Sequence, residues 1–78
     1  MAVYKYPNLL QKSDHPAFDQ THAAGSSTPY SGVYRCVGCG KEVSSTTNHP
    51  LPPQNHHQHT YQQGTIRWQL VVTHLSNN

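Results

Sequence analysis

With 78 residues the chain has room for one small core, which excludes a multidomain enzyme. Its residues are 33% apolar and only 10% charged, against roughly 45–50% and about 25% in ordinary globular chains, so hydrophobic burial alone is a weak counterweight to an ordering cost of about 1.5 kcal/mol per residue. The net charge of +2 comes from five scattered cations and lacks the basic stripe of a nucleic-acid module. A fold this thin needs a staple.

Residues 1–30 open with the alternation Val3-Tyr4-Lys5-Tyr6, which predicts a short edge strand stopped by Pro7. Ser13 or Asp14 is placed to cap a short helix over HPAFDQTHAA, with Pro16 near its first position and Gly25 after its end. The turn formers GSSTPYSG then lead into a second unit, residues 31–74. There Val33–Cys36 reads as a strand, Val37-Gly38-Cys39-Gly40 as a tight turn and Lys41–Ser45 as the returning strand. Residues 46–64 read as loop, since Pro50, Pro52 and Pro53 forbid a helix. Thr65–His74 is the clearest strand: Ile66, Trp68, Leu70 and Val72 share one face, which predicts core packing for Trp68 rather than a base-stacking platform. An unpaired edge on this last strand is also a candidate for dimerisation, with the oligomeric state left open, and residues 75–78 read as a frayed tail.

The composition also names the staple. Cys36 and Cys39 are the only cysteines, and a disulfide between them would close too small a loop to constrain the unfolded chain. Four of the seven histidines, His49, His56, His57 and His59, fall within eleven residues. Cys36-x-x-Cys39-Gly40 has the form of a metal knuckle, and His56 and His59 repeat its gap sixteen residues on, giving C-x2-C-x16-H-x2-H. Tetrahedral zinc takes such a ligand set. The expected site is therefore one zinc ion on Cys36, Cys39, His56 and His59. Two other ligands stay open: His57, which in an extended segment shares a side with His59, and His49. Two thiolates are too few for an iron–sulfur cluster, and Gly40 stands where c-type haem attachment needs a histidine.

The runs YRCVGCGKEV, HPLPPQNHHQH and GTIRWQLVV together resemble a zinc ribbon, and more narrowly a group of small bacterial zinc-ribbon proteins. The resemblance implies Cys36 and Cys39 as thiolate ligands with histidines replacing the second cysteine pair, and it implies no activity. The expected fold is a small metal-stapled β protein, a zinc-ribbon-like antiparallel sheet of about three strands with an irregular N-terminal segment folded against it. No hydrolase or phosphate-binding motif is present, so no catalysis is expected. Without an apolar leader or an 18-residue apolar stretch, the chain reads as a soluble cytoplasmic protein. Its expected role is that of a metal-stabilised interaction module with an unidentified protein partner. Metal handling is the alternative, and nucleic-acid binding is the least favoured role.

Overall fold

The computed structural model describes residues 1–74; the tail expected at 75–78 lies outside them. The described residues form one antiparallel sheet of four strands rather than three: β1 (Thr21–Ala23), β2 (Gly32–Cys36), β3 (Glu42–Ser45) and β4 (Arg67–Thr73), in the order β1-β4-β2-β3. The hairpin β2–β3 stands where the sequence places it, pairing Gly32 with Ser45 through to Arg35 with Glu42. β4 is internal to the sheet, but β1 pairs only with its Arg67–Gln69, so among the described residues no strand covers the β1-side edge of Leu70–Thr73; the outermost strands are the short β1 and β3.

The additional strand comes out of the segment expected to be helical. Pro16–Asp19 makes a single 3-10 turn and stops, because Phe18 finds only Thr21 and His22 three and four positions on, which gives a helix no apolar stripe. Neither Ser13 nor Asp14 caps this turn; His15 Nδ1 accepts the Ala17 amide instead, at 3.1 Å. Thr21, His22 and Ala23 then pair with Gln69, Trp68 and Arg67, covering the second edge of β4. Val3–Tyr6 forms no strand. Pro7 begins another 3-10 turn, and residues 1–10 are all exposed, with no sheet partner for this segment.

Along β4 the alternation holds through Ile66, Trp68 and Leu70, all buried, and fails at Val72, which is 37% exposed. The cause is a bulge: Val33 pairs with Val72 but Tyr34 pairs with Leu70, so Val71 is an extra residue that flips the face of the residues after it. Trp68 is fully buried with Tyr34 and Cys36 from β2, Leu51 from the long loop, and Ala17. Its Nε1–H donates to the Pro52 carbonyl at 3.3 Å. Buried Ala17 and Thr28 and strand β1 make the segment before residue 30 part of the same packed unit as the sheet.

Residues 46–64 run as loop apart from a 3-10 turn at Tyr61–Gln63, and the loop is tied down at several points. Its first part lies against residues 25–28: Thr28 N–H donates to the His49 carbonyl and Leu51 N–H to the Ser26 carbonyl, both at 2.8 Å. Further on, Gln54 imitates a strand backbone. Its Oε1 accepts the Ile66 amide at 3.0 Å and its Nε2 donates to the Ile66 carbonyl at 3.2 Å.

Tyr34 closes a smaller loop, its hydroxyl donating to the Tyr30 carbonyl at 2.6 Å. Burial pushes this phenol above its usual range, against the pull of the Tyr30 backbone. Its contribution to stability is complete below the ordinary tyrosine value of about 10 and is lost as pH rises through the raised pKa. Tyr34→Phe is expected to cost about 1–3 kcal/mol at neutral pH, by stranding the Tyr30 carbonyl, and to flatten the alkaline limb of stability, as urea melts between neutral and strongly alkaline pH would record.

Candidate metal centre

The centre is assembled at the tip of the β2–β3 hairpin. Cys36 ends β2, and its amide donates to the Lys41 carbonyl at 2.7 Å while Gly40 N–H donates to the Cys36 carbonyl at 2.8 Å, which folds Val37–Gly40 into a tight turn. Gly40 has φ +83°, a conformation that a side chain rarely adopts. The turn puts both free thiols on one side, Cys36 buried and Cys39 exposed.

Against this tip the long loop lays two imidazoles. Pro52 and Pro53 hold the chain out of helix, a turn returns the His56 amide to the Pro53 carbonyl at 3.0 Å, and His57 and His59 follow on one side. Cys36 Sγ lies 3.2 Å from His59 Nε2, Cys39 Sγ 3.3 Å from His57 Nε2, and the two Nε2 atoms are 3.0 Å apart. All four ligand atoms fall within 4.8 Å of one another. Around tetrahedral zinc, with Zn–S of about 2.3 Å and Zn–N of about 2.0–2.1 Å, ligand atoms stand roughly 3.3–3.8 Å apart, a spacing close enough to that of this set that the four residues could hold a metal ion.

The structure thus brings together three of the four residues expected from the sequence, Cys36, Cys39 and His59, and takes His57 in place of His56. The grouping has a local reason: His57 and His59 point their Nε2 atoms to one spot, while His56 turns its Nδ1 to His57 Nδ1 at 2.8 Å and stays exposed. The signal for His57 lay in the one-residue gap to His59. His49 is exposed and stands apart from the cluster, its carbonyl occupied by the Thr28 amide.

Several contacts aim these ligands. His59 Nδ1 donates to the Gly64 carbonyl at 2.8 Å, which leaves Nε2 as the bare nitrogen facing the thiols. Gln63 Oε1 accepts the Thr60 amide at 2.7 Å and steadies the turn that presents Gly64. His56 and His57 both meet Trp68 in T-shaped contacts, with centroids 5.8 Å away. For Cys36, burial raises the thiol pKa, but backbone hydrogen bonds at Gly38, Cys39 and Arg67 and the Cys39 side chain together outweigh it, and the thiol sits below its ordinary range. Partial burial, then the neighbouring charges of His59, His56 and Lys41, hold His57 below the usual histidine value. A lowered thiol and a neutral imidazole are the forms that bind a metal ion.

Gly38 is the one position in the turn where a methyl group has no space. A Cβ there would stand 2.8 Å from the Gln63 carbonyl oxygen and 3.0 Å from His59 Cε1. Gly38→Ala is therefore expected to push the His59 loop away from the knuckle at a cost of about 1–3 kcal/mol, read as roughly 5- to 150-fold weaker zinc affinity in competition with a chromophoric chelator.

No protein-family model and no solved structure matches the chain. Among the described residues no helix is long and apolar enough to cross a membrane. Over 60 residues the chain is 53% identical to a protein of Escherichia coli named Protein L, the match covering 77% of this chain and 68% of that protein. At that identity and coverage, this chain belongs to the family of Escherichia coli Protein L.

Proposed function

We propose that the protein is a small zinc-stabilised interaction module of the cytoplasm, holding one ion on Cys36, Cys39, His57 and His59. The observation that carries this reading is the convergence of two thiols and two Nε2 atoms within 4.8 Å at the tip of the hairpin. Two soft thiolates with two imidazoles favour zinc over the oxygen-loving cations. A site with four protein ligands leaves no position for an activating water, so the role is structural rather than catalytic. The sheet supports a zinc-ribbon-like architecture in which the second knuckle is a loop with an H-x-H pair. Binding of a protein partner, in preference to nucleic acid, follows from the scattered cations.

Metal handling is the second reading, favoured by the exposure of Cys39 and by an open cleft of about 460 Å³ lined by His57, His59, Gln54 and Gly64. Native mass spectrometry of untagged protein, before and after chelation, with NMR of both forms, separates the two. One zinc ion per chain and a collapse of NMR dispersion on chelation support the structural module. A stripped chain that stays folded supports handling, and a chain that takes up no zinc overturns both.

A further inference from the structure

We infer that His56 is the positioning residue of the metal centre, its Nδ1 lone pair taking the His57 Nδ1–H and so holding His57 in the tautomer that turns a bare Nε2 to the ion. This rests on the reading of Cys36, Cys39, His57 and His59 as one zinc site. A neutral imidazole carries one N–H, and two ring nitrogens 2.8 Å apart need one donor and one acceptor. If His56 donated, the His57 proton would sit on Nε2, pointing at Cys39 Sγ and His59 Nε2, where the ion must go. Only the opposite assignment leaves His57 able to bind. His56 then carries its own proton on Nε2.

The arrangement parallels the other imidazole, for which the Gly64 carbonyl accepts the Nδ1–H. Each histidine ligand thus has a dedicated acceptor behind it, one from the backbone and one from a neighbouring side chain. His56 is held for this task from two directions. Its amide is tied to the Pro53 carbonyl, and its ring meets the buried Trp68 edge to face at an interplanar angle of 75°. Removing such a partner ordinarily costs about 10–100-fold in metal affinity.

The test compares His56→Phe, which keeps an aromatic ring against Trp68 and deletes the acceptor, with His56→Asn, whose side-chain oxygen replaces it close to the position of Nδ1. Both are titrated with zinc against a chromophoric chelator, and ¹⁵N NMR of the imidazoles is recorded on the unaltered, zinc-loaded chain. The expected results are one ion per chain throughout, affinity about 10–100-fold weaker in His56→Phe and restored in His56→Asn, and a His57 proton on Nδ1. The inference is overturned if both variants bind like the unaltered chain, or if NMR finds His56 itself coordinated or His57 bound through Nδ1. The NMR result stands alone where His56→Phe fails to fold. An unaltered chain that takes up no zinc removes the metal site itself, an outcome distinct from a chain that binds zinc indifferently to residue 56.

Discussion

Loss of Cys36 or His57 is expected to unfold the zinc-loaded protein, while His56→Ala weakens the ion and leaves the fold standing. The asymmetry follows from position. Cys36 is fully buried beside Trp68 and Tyr34, so Cys36→Ser removes a ligand and places a hydroxyl among apolar side chains. His57 Nε2 supplies one of the four converging atoms, whereas His56 stands behind it. In finger peptides structural zinc contributes about 10–16 kcal/mol of apparent binding free energy, more than the whole stability of a small domain. With so few apolar residues the core cannot carry the fold after that loss. NMR dispersion of the three variants, with and without a chelator, checks the order. Retained dispersion in Cys36→Ser would remove the ion from its structural role.

Trp68→Ala is the second large effect, an expected loss of about 3–5 kcal/mol in urea denaturation of the zinc-loaded chain. Trp68 is fully buried on an internal strand, and its removal opens a cavity in the cluster that holds Tyr34, Leu51 and Leu70 and deletes the Nε1–H bond to the Pro52 carbonyl, which keeps the Gly25 amide. The same ring backs both His56 and His57, so zinc affinity is expected to fall together with stability. Trp68→Phe restores part of the volume but not the donor and should lie between the two. A Trp68→Ala chain whose denaturation midpoint stays within experimental scatter of the unaltered one would contradict the placement of this residue at the centre of the core.

The boundary between what was legible and what was not runs through particular residues. The Cys36–Cys39 knuckle could be read because both thiols sit in one tight turn whose glycines declare it, and all its geometry lies within six residues. The inward face of β4 could be read through Leu70, because a period of two is a local property. It failed at Val72 because the bulge depends on how β2 pairs across the sheet. The expected helix after Asp14 failed for a similar reason: a weak local signal lost to pairing of Thr21–Ala23 with a strand more than forty residues away.

By itself, then, the sequence determined that the chain is poor in apolar residues, that two cysteines sit in a hairpin turn, and that a histidine-rich loop is available to them. Tertiary structure alone decided which histidines lie beside the thiols, His57 and His59, and that the sheet has four strands. A ligand is selected by where its lone pair lands in space. That position depends on the Gly64 carbonyl turning His59 within its own loop and on Gln54 gripping Ile66 twelve residues away, a contact whose path no local spacing encodes.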